Sequence, residues 1–400
     1  MKAKLFEHLP VLPEDPILGM ALLVKKDPRP HKVDLSIGIY RDANGLSLPM
    51  HCVAEVEKKL ASEVHTKVYL PIEGEPSYLD ATAKLCFGEN LYQQHHKRIV
   101  AAQTVGGTSA LSILAHFFSQ HLTKKVYVSD PTWPNHFGIF KRAGFEVASY
   151  PYYDMKKHQL KFQEMIDCLH MAKPNECVVL HGCCHNPSGL DPTMSQWQTI
   201  LQIVKEKSLI CIFDVAYQGF GLSLEADRQA IELFLEQGIP MAVAVSHSKN
   251  FGLYAERVGA LFIVGDDEKD SAKILGNVKS LIRTDYSNPP KHGALVVSTI
   301  LNDPERKKKW VAELKSYQER MHDTREQFIL ELKKSGLKQD FSYMRHTKGM
   351  FCFTGLTSQQ VNRLMEEFAI FMPQSGRINV TGLNDRNMAY VIDSIIKVTS

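Results

Sequence analysis

Lys249 follows a run of apolar residues at 241–245 that is typical of a buried strand. A charged ammonium group is costly to bury, so a lysine at the mouth of such a strand needs a compensating role. Desolvation lowers a lysine's pKa and makes its amine nucleophilic, which suits a Schiff base with a carbonyl cofactor. The competing interpretation is a surface lysine in a strand-to-helix loop, and Lys249 alone does not decide between them.

Other residues that could serve such a cofactor also follow apolar runs or turns. Asp214 ends the apolar run 209–213, where a buried carboxylate needs a cation such as a protonated pyridine nitrogen, although it could equally cap a helix. Tyr217 and Asn186 could both bond a ring oxygen, but Asn186 lies in a segment that is by default a turn. Trp133 could stack on a flat ring, although a core tryptophan is the commoner case.

Two glycines, Gly106 and Gly107, followed by Thr108, open an apolar helical pattern that continues to residue 121. The bare N–H groups of a helix N-terminus form a ready phosphate site. The same residues are also common in loops, so this signal is weak by itself.

Together these residue types are the parts that pyridoxal phosphate chemistry requires. The chain resembles the class I pyridoxal-phosphate-dependent aminotransferases, in the aspartate and aromatic amino acid subfamily, over essentially its whole length. The resemblance is carried by Ser-His-Ser-Lys-Asn-Phe-Gly-Leu-Tyr-Ala-Glu-Arg-Val-Gly (246–259), His-Gly-Cys-Cys-His-Asn-Pro-Ser-Gly (181–189), Phe-Asp-Val-Ala-Tyr-Gln-Gly-Phe (213–220), Asp-Tyr-Ser-Asn-Pro-Pro (285–290) and Ser-Gly-Arg-Ile-Asn-Val (375–380).

The resemblance implies that Lys249 holds pyridoxal 5'-phosphate covalently and moves the proton during transfer. It implies that Asp214 keeps the ring nitrogen protonated with support from His136, and that Asn186 and Tyr217 contact the ring oxygen. Lys249, Asp214 and Tyr217 are thus the implied catalytic residues. The other implied cofactor-binding residues are Gly107, Thr108, Trp133, Ser246, Arg257 and, reaching in from a second subunit, Tyr69.

The resemblance also implies a substrate site. Arg377 would bind the substrate α-carboxylate through its planar fork of donors. Arg283 would come from the second subunit of a homodimer with shared active sites and meet a distal carboxylate. The other implied substrate-binding residues are Gly38, Phe351, Trp133 and Asn186.

We therefore expect an aminotransferase that exchanges amino groups between aspartate and 2-oxoglutarate by a ping-pong mechanism. Apolar Val68 beside Tyr69, and apolar Ile39, favour aromatic amino acids as further substrates, or even as the preferred ones. A lyase or decarboxylase with the same cofactor is a less favoured alternative, because two substrate arginines suit dicarboxylates. A pure binding protein would need no Schiff-base lysine, and no Gly-x-Gly-x-x-Gly follows the first strand as in a dehydrogenase.

Apolar runs alternate with helical patterns, which predicts an α/β fold with a mostly parallel sheet. The predicted strands are 33–40, 126–129, 145–153, 177–184, 209–216, 241–246 and, antiparallel to its neighbour, 258–264. A long amphipathic helix is predicted after Asn288-Pro289-Pro290, with one face formed by Trp310, Leu314, Tyr317, Met321, Phe328 and Leu332. For the family resembled, the α/β fold is fold type I, a large domain plus a smaller α+β domain. We expect an N-terminal arm and part of the small domain at 1–45, the large cofactor-binding domain at 46–305, and the rest of the small domain at 306–400.

The composition indicates which binding partners and which cellular compartment to expect. The 400 residues carry a net charge of +3, too small to indicate nucleic acid or an acidic membrane as a partner. No long apolar segment or secretory signal is apparent, and eight cysteines without framework spacing suggest reduced thiols in the cytoplasm. The histidines and cysteines of 181–185 are adjacent along a predicted strand and point to opposite faces, so we expect no metal.

Overall fold

The computed structural model describes residues 6–12, 15 and 17–399, without the side chain of Leu18. The strands are β1 Val33–Asp34, β2 Ile99–Val105, β3 Lys125–Asp130, β4 Glu146–Pro151, β5 Tyr153–Asp154, β6 Gln159–Leu160, β7 Cys177–His181, β8 Ile210–Val215, β9 Met241–Ser246, β10 Val258–Val264, β11 Phe351–Phe353, β12 Ile370–Phe371 and β13 Arg377–Asn379. The α-helices are α1 Leu18–Lys26, α2 His51–Ser62, α3 Pro76–Phe87, α4 Glu89–His95, α5 Gly106–His121, α6 Asn135–Arg142, α7 Phe162–His170, α8 Met194–Lys207, α9 Gln229–Glu236, α10 Glu268–Asp285, α11 His292–Leu301, α12 Pro304–Lys334, α13 Ser358–Phe368 and α14 Met388–Thr399.

Seven strands form the central sheet, in the order β2-β10-β9-β8-β7-β3-β4. Strand β10 is antiparallel to both of its neighbours, and every other pair is parallel. Alternate residues of β7 to β9 belong to two separate apolar clusters, so helices cover both faces of the sheet. The predicted parallel α/β sheet and the antiparallel strand at 258–264 are therefore confirmed.

The predictions for two strands were wrong. Strand β2, an edge strand that pairs with β10 and leads directly into α5, was not predicted. The strand predicted over 33–40 is shorter, since β1 covers only Val33–Asp34. Beyond β1, the side-chain amide of Asn379 donates hydrogen bonds to the carbonyl oxygens of Ile37 and Ile39, at 2.7 and 2.9 Å. A side chain thus takes the place that a neighbouring strand would have.

Two further predicted strands are shorter or interrupted. The predicted strand 145–153 is divided into β4 and β5, and the predicted strand 177–184 ends as β7 at His181. Three residues later Cys184 has a φ of 50°, a left-handed conformation that a strand does not adopt. The chain therefore turns at this point toward Asn186, at the carboxyl end of the sheet.

The long amphipathic helix predicted after Asn288-Pro289-Pro290 is α12, which packs against α2 and α11. The positions predicted to face the core, among them Trp310, Met321 and Phe328, are buried. We propose the domain division expected from the sequence, with the boundary near the start of α12. It is supported by the parallel pairing of β1 with β12, which joins the N-terminal segment to the last hundred residues.

All eight cysteines are free thiols, and seven of them are buried. Within the described part of the chain, no helix is both long and apolar enough to cross a membrane.

Candidate active site

Lys249 lies just beyond the end of β9, at the carboxyl edge of the sheet. All six residues of β9 are buried, and small polar residues follow it directly. The lysine Nζ is 4.9 Å from the centre of the Tyr217 ring. Desolvation lowers the pKa of Lys249 to about 8, although the nearby Asp214 carboxylate opposes this shift. A substantial fraction of the amine is thus neutral near neutral pH and able to act as a nucleophile or base.

Asp214 lies near the end of β8 and is 8% exposed. Its Oδ2 atom is 3.2 Å from Nε2 of His136, a fully buried histidine on α6. Burial by itself would raise the pKa of Asp214, but the hydrogen bond from His136 and the charge of Lys249 lower it below its usual value. The carboxylate is therefore ionised and available to a cation in the pocket.

A chain of hydrogen bonds runs behind Asp214, and its direction follows from one backbone donor. The N–H of Asn186 donates to Nδ1 of His181, at 3.4 Å, so Nε2 of this histidine carries its proton. That proton points to Oγ1 of Thr132, at 3.3 Å, and the Thr132 hydroxyl donates to Nδ1 of His136, at 2.8 Å. Burial lowers the pKa of His181 to about 3, so this ring is neutral. The second ring nitrogen of His136 then donates to Asp214, which fixes the orientation of the carboxylate.

The N-terminus of α5 lies against Arg257 and Ser246 at another side of the pocket. No side chain caps this 16-residue helix, so no capping side chain takes up its first N–H groups. A Cβ atom on Gly107 would be 3.0 Å from the Ser246 Cβ, and one on Gly106 would be 2.5 Å from an Arg257 nitrogen. The two glycines therefore allow a guanidinium and a hydroxyl to come close to the helix N-terminus, an arrangement that suits a phosphate group.

Arg377 lies at the opposite side of the pocket, on β13, and is 3% exposed. Its guanidinium carbon is 4.2 Å from the centre of the Phe351 ring, and it donates to the Ser36 carbonyl and, at 3.4 Å, to Oδ1 of Asn186. Its Nε atom is buried without a partner. Desolvation lowers the pKa of Arg377 to about 10, which leaves the guanidinium charged and able to bind a carboxylate.

These groups meet in a single pocket of about 280 Å³. The predicted site residues that line it are Gly38, Gly107, Thr108, Trp133, Asn186, Asp214, Tyr217, Ser246, Lys249, Arg257, Phe351 and Arg377. His136 lies behind Asp214. The remaining two predicted site residues do not line this pocket. Tyr69 is 91% exposed and lines a separate surface cavity of about 650 Å³, and Arg283 is an exposed residue of α10 that donates to Ser287 at the rim of the same cavity.

Several pocket residues were not predicted. Ser248 lies in the same loop as Lys249 and accepts a hydrogen bond from Arg257, at 3.2 Å, so its place next to the lysine was an available signal. The hydroxyl of Tyr254 lines the pocket rim and accepts a bond from the Tyr40 N–H, at 2.9 Å. The sequence contains no comparable signal for four apolar residues that also line the pocket, Ile17, Ile37, Leu111 and Ala216.

The arrangement fits pyridoxal phosphate on three independent observations. Lys249 is a largely buried amine with a lowered pKa, the glycine-opened end of α5 forms a cradle with Arg257, and Asp214 is an oriented carboxylate in the same pocket as Trp133. The unpartnered Nε of Arg377 leaves donor capacity for a substrate carboxylate on the far side. The described residues therefore hold the lysine, anion cradle and ring-nitrogen partner that the cofactor requires.

Comparison with known proteins agrees with this geometry. The sequence model of the family described as Aminotransferase class I and II matches residues 30–395. The chain is 43% identical over 395 residues to an aspartate aminotransferase from Escherichia coli, covering 98% of this chain and 100% of the relative. It is 39% identical to the aromatic-amino-acid aminotransferase of the same organism, with 98% and 100% covered.

A solved structure is similar over the full length of both chains. It is an aromatic-amino-acid aminotransferase from Burkholderia pseudomallei covalently bound to pyridoxal phosphate, with a TM-score of 0.96 and 41% identity. The match covers 100% of this chain and 100% of the solved chain.

Proposed function

The chain belongs to the class I and II aminotransferase family, and on this basis we propose that it transfers amino groups between aspartate and 2-oxoglutarate, with aromatic amino acids as further donors. The reaction alternates two half-reactions in a ping-pong mechanism. The observation that carries this proposal is the pairing of Lys249, whose pKa is lowered to about 8, with Arg377 across one pocket. An amine base next to a carboxylate-binding arginine is what amino-group transfer from an α-amino acid needs.

Pyridoxal phosphate, when bound, supplies an aldehyde for the amino group and an electron-accepting ring. Lys249 would hold it at Nζ and then carry the proton at the substrate Cα as a general base. Asp214, oriented by His136, would keep a proton on the ring nitrogen. Asn186 and Tyr217 would bond the ring oxygen, supported by the 3.4 Å contact between the Asn186 amide nitrogen and the Tyr217 hydroxyl.

The remaining pocket residues divide between the cofactor and the substrate. Gly107, Thr108, Ser246 and Arg257 would hold the phosphate group, and Trp133 would lie against the ring. Arg377 would bind the α-carboxylate, with Gly38 and Phe351 shaping the space beside it. A Cβ on Gly38 would be 2.9 Å from the Phe351 ring, which supports a close-packed wall at this point.

The apolar rim supports aromatic donors next to dicarboxylates. Ile17, Ile37 and Ile39 line the pocket, so a substrate ring would be buried against apolar side chains. We infer that Arg283 and Tyr69 act in a neighbouring subunit's site within a homodimer, since neither lines the pocket of its own chain. We also infer a cytoplasmic location, which the eight free cysteines support.

Steady-state kinetics with 2-oxoglutarate and a panel of amino donors test this function, with Arg283→Ala as the informative variant. Aspartate should lose a charge-assisted pair, which lowers its kcat/KM by about two to four decades, while phenylalanine should lose far less. Equal losses for both donors would mean that Arg283 has a structural role. No transfer from any donor by the wild-type enzyme would overturn the proposed function itself.

A further inference from the structure

A second pocket, of about 300 Å³, lies between residues 220–222 and the C-terminal half of α12. It shares no lining residue with the Lys249 pocket. Basic side chains surround it, and none of its described lining residues is acidic. The basic lining residues are His322, Arg325, Arg345, His346 and Lys348.

Arg325 is the innermost of these groups and is 4% exposed. It donates a hydrogen bond to the Gly349 carbonyl and lies beside the Cys352 thiol, but its Nε atom is buried without a partner. Among the described residues, no carboxylate oxygen lies within the 4.0 Å of an ion pair with Arg325. Because a guanidinium stays charged in proteins, this is a buried positive charge without a counter-ion.

The acidic residues near the pocket do not neutralise the positive charge of its lining. Glu326 pairs with Arg345, at 2.8 Å, and its charge acts on Arg325 only at longer range, without an ion pair. Asp191 faces Lys348 from the protein interior, but its carboxylate accepts two backbone N–H groups and forms no ion pair with the lysine among the described residues. Asp227 lies under the 220–222 segment and accepts three backbone N–H groups. Arg325 and Lys348 thus remain unpaired on one pocket wall.

We propose that this pocket binds a doubly charged phosphoryl anion, either inorganic phosphate or the phosphate group of a phosphomonoester. A guanidinium and an ammonium group that converge without carboxylates form the donor set that phosphate oxygens take. His322 and His346, both exposed, lie at the edge where an anion would enter. The anion would give the buried Arg325 guanidinium the counter-ion that the protein does not supply.

Calorimetric titration of the holoenzyme with inorganic phosphate, and separately with glycerol phosphate, tests the proposal. The holoenzyme is used because the cofactor's own phosphate then fills the cradle at Arg257, and heat from an anion at Arg377 is recognised because Lys348→Gln leaves it unchanged. We expect saturable binding of one anion per chain. Lys348→Gln should weaken it by about tenfold or more, since one of the two unpaired charges is lost. Lys338→Gln, an exposed lysine of the same region outside the pocket, should change it by less than about twofold.

The two ligands distinguish the source of the anion. Tighter binding of inorganic phosphate indicates that the pocket takes the free ion, and tighter binding of glycerol phosphate indicates a phosphomonoester. Arg325→Gln should abolish binding if the variant folds, but Lys348→Gln decides the matter because its side chain is only half-buried. The proposal is overturned if neither ligand binds the holoenzyme, or if Lys348→Gln binds as tightly as the wild type.

Discussion

The chemistry of Lys249 has a measurable effect on stability, because burial disfavours its charged form. Its pKa is about 8 in the folded protein and near 10.5 when exposed. The charged lysine therefore destabilises the folded state fully below pH 8, and this effect disappears between pH 8 and 10.5. In the cofactor-free protein at pH 7, Lys249→Met should raise the free energy of unfolding by about 2–3 kcal/mol, allowing for partial exposure.

Urea denaturation of the cofactor-free protein at pH 7 and pH 9.5 measures this difference. The gain should shrink at the higher pH, whereas the exposed control Lys338→Met should show little effect at either pH. A Lys249→Met variant that is less stable than the wild type by the same amount at both pH values would show that Lys249 carries no desolvation penalty.

His247 precedes Ser248 and Lys249 and is fully buried. Its ring nitrogens contact Thr82 Oγ1 and Asn250 Oδ1, each at 3.2 Å, and aromatic rings of Tyr78 and Phe251 pack against it. None of these neighbours is charged. Desolvation lowers the pKa of His247 to about 4, so the folded state resists protonation that the unfolded chain accepts below about pH 6.5.

The stabilisation from keeping His247 neutral is present above pH 6.5 and is lost as the pH falls toward 4. His247→Phe removes this titration. Relative to the wild type, the variant should therefore gain about 3 kcal/mol in unfolding free energy between pH 7 and pH 4. Urea denaturation at the two pH values gives the difference, with His51→Gln as an exposed control. A constant difference between wild type and His247→Phe would contradict the pKa of His247.

The sequence was informative about residues whose type and place are unusual. Lys249 and Asp214 each end or follow an apolar run, so a buried charge could be inferred from the order of residues alone. Thr132 and His181 gave no such signal, because they are 49 residues apart and their link to His136 arises only when β7 and the start of α6 come together.

At the scale of elements, the N-terminus of α5 depends on two glycines. Gly106 has a φ of 73°, which costs a residue with a side chain about 1–2 kcal/mol. A Cβ there would also displace the Arg257 guanidinium, 2.5 Å away. Gly106→Ala should therefore leave the protein folded but raise the dissociation constant for pyridoxal phosphate by about tenfold or more.

Fluorescence titration of the cofactor-free protein with pyridoxal phosphate measures this constant. Gly276→Ala is a matched control, since Gly276 lies on α10 with nothing within 4 Å of an added Cβ. Unchanged cofactor affinity in Gly106→Ala would indicate that Arg257 does not bind the phosphate group.

Elements were predictable where one pattern dominated the local sequence. Strand β9 is continuously apolar, and α12 keeps one apolar face over many turns, so both were recognised. Strand β2 was missed because polar Gln103 and Thr104 lie near its end and the glycines of α5 follow directly after Val105. Carbonyl groups in the segment after β1 accept hydrogen bonds from Asn379, more than 300 residues away, and local patterning holds no information about that contact.

At the scale of the whole molecule, the predicted dimer explains two residues that the single chain leaves outside its site. Tyr69 and Arg283 both lie at the 650 Å³ surface cavity around the Asn288-Pro289-Pro290 segment. A two-fold symmetric dimer would bring this surface to the neighbouring pocket. Local sequence patterns hold no information on such an arrangement, so this part of the site came from family resemblance alone.

Subunit mixing tests the shared site. Lys249→Ala and Arg283→Ala homodimers should each be nearly inactive toward aspartate. After joint unfolding and refolding, hybrids contain one site with both native residues, so the mixture should recover about a quarter of the wild-type activity. Wild type mixed with Lys249→Ala measures the recovery on refolding, because half of its sites stay intact whether or not the subunits exchange. Failure to recover any activity, with exchange verified, would place Arg283 and Lys249 in the same subunit's site or remove Arg283 from it.

Covalent mapping tests whether Lys249 holds the cofactor. The purified holoenzyme is reduced with borohydride, which makes the bond between the lysine and the cofactor irreversible, and is then digested for mass spectrometry. The pyridoxyl adduct should be found on Lys249, and Lys249→Ala should show none. An adduct on a different lysine of the wild-type protein, or the absence of any adduct, would contradict the assignment on which the proposed function depends.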